Sequence, residues 1–313
     1  MENYLISVSP FGGGLSCRID CLVSSIKIAE KTGRKLILYW PKNPPCNCHF
    51  SDLFANYIKE IQRKDLEKII KSRNYDIYRE NLNGFDNKKK FIFISSSRLI
   101  GFSKENLQLK FEKIPKTFRE DISNYIKKLK IRQDILKIVN NFSKKTFSKN
   151  VVGIHIRKGD FKTIKNNVGA VSADEKYMEE INRIIQKDKN IKFFLATEDK
   201  ETEKKFKAIY GNKMITYNKI TRYREEEGAV EEALIELILL SKCKLILGNF
   251  GSTFTEMAWF LGECKPEMKI IIEKNALKKH IKLETNGKSL FNKIKQITYN
   301  VITPSHIKLL GKA

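Results

Sequence analysis

No window of the chain supplies the roughly 20 uninterrupted apolar residues of a membrane span, and the N-terminus MENYLISVSPFGGG lacks the charged start and apolar stretch of a secretory signal. A cytoplasmic protein is expected. Cysteine is sparse and scattered: of the six, Cys17 and Cys21 stand one helical turn apart, Cys46 and Cys48 fall in a turn-like stretch, and Cys243 and Cys264 are distant. That spacing is no disulfide framework. Cys46, Cys48 and His49 would begin a metal site, but no second cluster completes a four-ligand set, so no metal is expected. No internal repeat recurs at a fixed period, which argues against a solenoid or propeller. The glycine turn 12–14 lacks GxGxxG spacing, which weakens a dehydrogenase reading.

What the chain does have is positive charge, 60 Lys plus Arg against 36 Asp plus Glu, net +24 over 313 residues. Such an excess calls for a polyanionic partner, whether nucleic acid, an anionic membrane surface or a phosphorylated substrate. The basic residues are spread widely, however, and a Lys-, Asn- and Ile-rich composition also suits an AT-rich coding sequence. Aromatics do not interleave with basic residues in any stripe and no nucleic-acid module is recognisable, so nucleic acid is not the expected partner.

The length suffices for two medium α/β domains, each with its own core. Residues 4–9 read as a strand, 10–14 as a glycine-rich turn, and Ile19, Leu22, Val23, Ile26 and Ala29 recur at helical spacing up to a Gly33 C-cap. A second strand follows at 35–40, which opens a parallel doubly wound sheet. Between 50 and 148 the pattern loosens to short helices, a strand at 91–95 and a Lys-rich helical stretch over 121–142, with a boundary loop at 143–150. Beyond it, strands at 151–157, 191–197, 214–217, 244–248 and 269–272 alternate with helices at 174–186, 200–210, 229–241 and 252–261. The expected organisation is two Rossmann-like domains facing each other across a cleft, residues 1–148 and 149–275, with a basic C-terminal segment 276–313 packing back on the body.

Four groups of residues carry possible chemistry. In HIRKGD, residues 155–160, His155 and Arg157 alternate at the carboxyl end of a strand, where open α/β sheets bind ligands. A guanidinium fork beside an imidazole suits a diphosphate; the competing reading is an ion pair between Arg157 and Asp160. In NFGSTFTEMA, Gly251 allows close backbone approach while Ser252 and Thr253 open a helix whose N-terminus attracts anions, unless it is a plain N-cap. Glu236 lies inside the apolar run ALIELILL, where an unpaired carboxylate costs several kcal/mol. A guanine base would satisfy it with N1–H and N2–H, and so would a nearby Lys or Arg. Finally, Gly13 and Gly14 would turn backbone amides toward a donor phosphate, or form a bare β-to-α turn.

In this order, these pieces resemble the α1,6-fucosyltransferase superfamily, to which nodulation, core and protein O-fucosyltransferases belong. The stretch GGGLSCRIDCLVSSIKIAEKTGRKLILYWP is similar to the opening of the nodulation enzymes, HIRKGD to the family's His-x-Arg motif, FFLATED to its second motif and ALIELILLSKCKLILGNFGSTFTEMA to its third. The resemblance implies a GT-B fold, acceptor binding in the N-terminal domain, GDP-fucose binding in the C-terminal domain, inversion at the sugar, and neither metal nor cofactor. By position it implies that Arg157 holds the β-phosphate, that His155 and Glu236 hold guanine, and that Ser252 and Thr253 contact the diphosphate. Thr197 and Asp199 would line the same pocket. Core fucosyltransferase carries a glutamate ten residues after the motif histidine, where this chain has Lys165, so Asp160 is the first candidate for the base and Asp174 or Glu175 the second. The charged loop 220–228 would close over the donor through Arg222 or Arg224, or simply be solvated. The acceptor is expected to be a glycan, and the Lys-rich stretch 265–312 would suit a lipid-linked one at the inner membrane face.

Overall fold

The computed structural model describes residues 2–10, 12–78, 85–102, 111–158, 173–221, 223 and 225–272. Asp160, Lys165, Arg222, Arg224 and the segment 276–313, all singled out above, lie outside the described residues.

Two five-stranded parallel sheets carry the fold. The first comprises β1 (Tyr4–Val8), β2 (Lys35–Tyr39), β3 (Lys59–Glu60), β4 (Tyr75–Ile77) and β5 (Phe91–Ile94), in the order β3-β2-β1-β5-β4. The second comprises β6 (Val151–Ile156), β7 (Lys192–Thr197), β8 (Met214–Thr216), β9 (Leu245–Asn249) and β10 (Glu267–Ile271), in the order β10-β9-β6-β7-β8. Each chain half starts in the middle of its sheet, winds outward to one side and then crosses to the other. Each sheet therefore has a switch point, β1/β5 in the first and β6/β9 in the second, and at the carboxyl ends of such strands a crevice opens.

The helices follow from local chemistry. Helix α1 (Leu15–Thr32) ends where Gly33 adopts a left-handed φ of 62° and its amide bonds back to the Glu30 carbonyl. Helix α7 (Ala229–Ser241) is apolar nearly all round and correspondingly buried, its burial running from Leu234 to Leu240 without a break. Helix α8 (Thr253–Leu261) begins at Ser252, whose side chain accepts the Thr255 amide. The remaining helices are α2 (Arg63–Lys71), α3 (Lys116–Lys127), α4 (Gln133–Thr146), α5 (Asp174–Lys187) and α6 (Lys200–Tyr210).

The Lys-rich helical stretch expected over 121–142 consists of two helices, α3 and α4, and the expected boundary loop is shortened because α4 runs on to Thr146. The break has a tertiary cause: Ile131 bridges Phe54 in antiparallel fashion, the Ala55 amide bonds the Lys130 carbonyl, and the Arg132 amide bonds that of Leu53. Residues 128–132 are thus spent on the first half's loop and cannot continue a helix. Helix α4 in turn packs on α7, and Phe142 and Phe147 pack on Phe194 of β7, the first edge-on at 6.2 Å and the second tilted at 5.4 Å between ring centroids. One continuous apolar core consequently runs from Leu22 and Phe50 through Ile122 and Ile135 to Leu237 and Trp259. Helices α1 and α3 meet α8 through it, which brings the two switch points face to face.

Candidate functional site

A cleft of about 720 Å³ opens between the two switch points. From the first half, Gly12, Gly14 and Ser16 reach it after β1, Pro44 and Pro45 after β2, and Arg98 after β5. From the second half come Arg157 after β6, Glu198 after β7, Lys219 after β8, Gly251–Thr253 after β9, and the α7 face formed by Ala229, Val230, Ala233 and Glu236. Every wall residue outside α7 thus follows the carboxyl end of a strand or opens the helix after it, as a doubly wound sheet requires.

One end of the cleft is built for an anion. Gly251 adopts φ +75°, a backbone open to glycine at little strain, and so turns the chain into α8 within two residues. Ser252 caps the helix through Thr255, leaving the first-turn amides of Thr253 and Phe254 without intrahelical acceptors at the positive end of the helix dipole. Arg157 stands opposite across the switch point. Its amide donates to Asn249 Oδ1 at 2.7 Å, and the Tyr177 hydroxyl lies 2.9 Å from the same oxygen. Asn249 therefore ties the end of β6 to the end of β9 and sets the spacing between Arg157 and the helix. Glu198 approaches the Arg157 guanidinium at 3.9 Å and accepts the Lys158 amide at 2.7 Å.

Arg98 joins the halves. Its Nη1 donates to both Glu256 oxygens at 3.0 and 3.2 Å, and its Nη2 to the Gly251 carbonyl at 3.3 Å, holding the turn before α8 from the opposite sheet. Behind it, Asp20 is buried; burial, and then the charge of Glu256, holds its carboxyl well above the usual carboxylate range while Arg98 pulls the other way. Cys17 Sγ, 3.5 Å from Thr253 Oγ1, completes the contact between α1 and α8.

At the other end of the cleft the α7 face of Ala229, Val230 and Ala233 lies beside one buried ion pair. Lys219 Nζ lies 2.9 Å from both Glu236 oxygens and 2.5 Å from the Thr197 carbonyl oxygen, and both side chains are more than nine-tenths buried. Burial pushes the Glu236 carboxyl up to about 7, against the pull of the Lys219 ammonium. Of the two readings of Glu236, the ion pair to a nearby lysine is therefore present, and the carboxylate still faces the cleft.

Several expected contacts fall elsewhere. His155 does not reach the cleft wall: Thr255 Oγ1 binds its Nδ1 at 2.8 Å and Phe254 stacks on its ring at 4.7 Å, so α8 covers it. Helix α8 comes this close because Gly248 has no side chain; a Cβ there would lie 2.1 Å from Thr255 Cγ2. Burial, then the charges of Arg157 and Lys219, lowers the imidazole to about 3, so it is neutral. Asp199 is the N-cap of α6, accepting the Thr202 amide at 2.7 Å, and Thr197 Oγ1 accepts the Asp199 amide; the residue between them, Glu198, is the one on the wall. Gly13 spends its amide on the Pro10 carbonyl at 3.0 Å, whereas Gly14 does face the cleft. Asp174 is held by Lys158 at 2.5 Å and Lys205 at 3.1 Å, and Glu175 by Lys205 at 3.3 Å. Arg98, Lys219 and Asn249 were missed by sequence reasoning; the signal available was that each closes, or follows within a few residues, a strand of its sheet.

Two parallel α/β sheets that face each other across their switch points make an architecture of the GT-B type. Residues 99–288, more than half of the chain, match the family Glycosyl transferase family 11, and the chain belongs to it. Among solved structures it is similar to NodZ α1,6-fucosyltransferase from Bradyrhizobium soaked with GDP-fucose, at a TM-score of 0.53 and 17% identity over 83% of this chain and 93% of that one. It is similar also to a point mutant of Arabidopsis thaliana FUT1 in complex with GDP, at 0.56 and 16% over 88% and 72%. POFUT1 in complex with GDP-fucose matches at 0.51 and 13% over 86% and 98%. No curated protein matches by sequence. Among the described residues no group of three or more His, Cys, Asp or Glu is placed to hold a metal ion, and no helix is long and apolar enough to cross a membrane.

Proposed function

We propose that this enzyme moves L-fucose from GDP-fucose to a glycan hydroxyl by a single in-line displacement with inversion and without a metal ion. The observation that carries the reading is the convergence of Arg157 with the N-terminus of α8 at one end of a cleft whose other end presents Ala229, Val230, Ala233 and Glu236 of α7. A diphosphate suits the first end, and a purine that offers paired N–H donors to a carboxylate suits the second. The family and the ligands of similar folds, GDP and GDP-fucose, support the same donor.

As the bond between the anomeric carbon and the β-phosphate oxygen breaks, negative charge collects on the departing GDP. Arg157 and the first-turn amides of α8 stand where that charge develops, and so supply the positive potential a divalent cation provides in other transferases. The acceptor hydroxyl gives its proton to a carboxylate as its oxygen attacks; Asp160 is our assignment for that base.

The test is calorimetric titration of the wild type and Arg157→Ala with GDP, UDP and ADP in EDTA, followed by turnover of GDP-fucose with product anomers read by NMR. GDP-selective binding lost in Arg157→Ala, and an inverted product, are expected. Binding of no nucleotide, or of all three equally, would sink the donor assignment, and turnover only after a divalent ion is restored would sink the metal-free mechanism.

A further inference from the structure

The pair Lys219–Glu236 is unusual for a buried ion pair in that it lies on a ligand-accessible wall. The ammonium has three protons, and all are directed at acceptors: the two Glu236 oxygens at 2.9 Å and the Thr197 carbonyl at 2.5 Å. Lys219 and Glu236 both line the cleft, with Nζ equidistant from the two carboxylate oxygens. A base seated against Ala229, Val230 and Ala233 therefore meets Lys219 and Glu236 together, never the carboxylate alone.

That meeting has a particular chemistry. Guanine presents an acceptor, O6, directly beside two donors, N1–H and N2–H. A lysine ammonium directly beside a carboxylate is the complementary edge. Adenine presents a donor, N6–H, beside an acceptor, N1, and would set like against like at both positions. We propose that Lys219 is a specificity-determining residue that reads guanine O6 while Glu236 reads N1–H and N2–H. On binding, Nζ keeps the Thr197 carbonyl and one Glu236 oxygen and transfers its third hydrogen bond from the other oxygen to O6. No buried charge loses its partner in the exchange, so the seat can open to the base without the penalty of an isolated carboxylate. The inference rests on the GDP-sugar reading and adds to it the atom that separates guanine from adenine.

The experiment titrates the wild type and Lys219→Met with GDP, 6-thio-GDP, ADP and pyrophosphate. 6-Thio-GDP keeps N1–H and N2–H and replaces O6 by sulfur, a weak acceptor. The wild type is expected to bind GDP about tenfold more tightly than 6-thio-GDP, the scale of one hydrogen bond to a charged group. Lys219→Met should bind the two alike, with pyrophosphate affinity within about threefold of wild type. A wild type that does not distinguish GDP from 6-thio-GDP overturns the proposal whether or not the variant folds. So does a Lys219→Met that keeps the preference, or one that loses GDP, ADP and pyrophosphate equally, which would make Lys219 a phosphate contact. If the wild type binds no guanine nucleotide at all, it is the donor assignment that has failed, and the inference falls with it.

Discussion

The two halves of the cleft use their arginines in opposite ways. In the first half Arg18 is buried; its guanidinium donates to the Pro41 carbonyl at 2.8 Å and to Asn43 Oδ1 at 2.6 Å and lies 5.1 Å from the Trp40 ring centroid. Arg34 likewise donates to the carbonyls of Asn87 and Lys89, at 3.1 and 3.0 Å. Both hold loops behind the wall. In the second half Arg157 and Lys219 stand on the wall itself. Arg98 lies between these cases, on the first wall yet committed to Glu256 and Gly251 of the second. The same residue type braces loops on one side and lines the cleft on the other. Arg157 and Lys219, the cations that the second half contributes to the cleft wall, are the ones the proposed donor site uses.

That contrast can be broken by experiment. Its largest test is Arg157→Ala, expected to lower kcat/KM for GDP-fucose about 100- to 1000-fold, the scale of one transition-state charge contact, with the melting temperature held. Unchanged turnover would remove the second wall from the chemistry. Arg18→Ala should do the reverse, losing about 3 kcal/mol of stability in urea as its charged hydrogen bonds and its stacking on Trp40 go, while any protein that stays folded keeps its GDP affinity. If Arg18→Ala instead lost GDP binding at full stability, the distinction between strut and ligand contact would collapse.

A third test uses protons. The second half buries the neutral imidazole of His155, whereas the described histidine of the first, His49, is exposed. His155 falls from an unfolded value near 6.5 to about 3 on folding, so the unfolded chain binds the proton first and stability drops as pH falls through that interval. The expected slope from this group is about 1.4 kcal/mol per pH unit. Urea midpoints of the wild type and His155→Gln between pH 4 and 7 should converge as pH falls; parallel curves would mean that the imidazole takes up its proton in the folded state. The smallest effect is that of the cap. Ser252→Ala removes the acceptor for the Thr255 amide and should cost about 1 kcal/mol of stability. It should weaken GDP more than the comparable loss of the Asp199 cap on α6, measured as Asp199→Ala, since α8 alone of the two opens on the cleft.

Much of this was legible beforehand, and unevenly. The second half reads cleanly because strands and helices alternate there with their own punctuation, and the Ser252 cap and the buried helix over Glu236 were placed by local chemistry. The middle of the chain was legible only as a helical stretch, without its break, because nothing local marks 128–132 as a strand-like bridge to Phe54; the marker is a partner far away in the chain. At the site, Gly14, Arg157, Glu236 and Gly251–Thr253 line the cleft, while other motif residues turn away from it. His155, Thr197 and Asp199 sit within a residue or two of wall positions, yet they point into α8 or into the start of α6.

The amino-acid order by itself determined the alternation of strands and helices, their caps and the positions at strand ends where a ligand must bind, because each depends on hydrogen bonds and apolar periodicity within a few residues. Only the tertiary structure decided that Lys219 neutralises Glu236, that Arg98 crosses to Glu256 and that Phe254 covers His155. A buried charge takes whichever counter-charge the packed helices bring within about 4 Å, and that distance is set by how two sheets face each other, not by spacing along the chain.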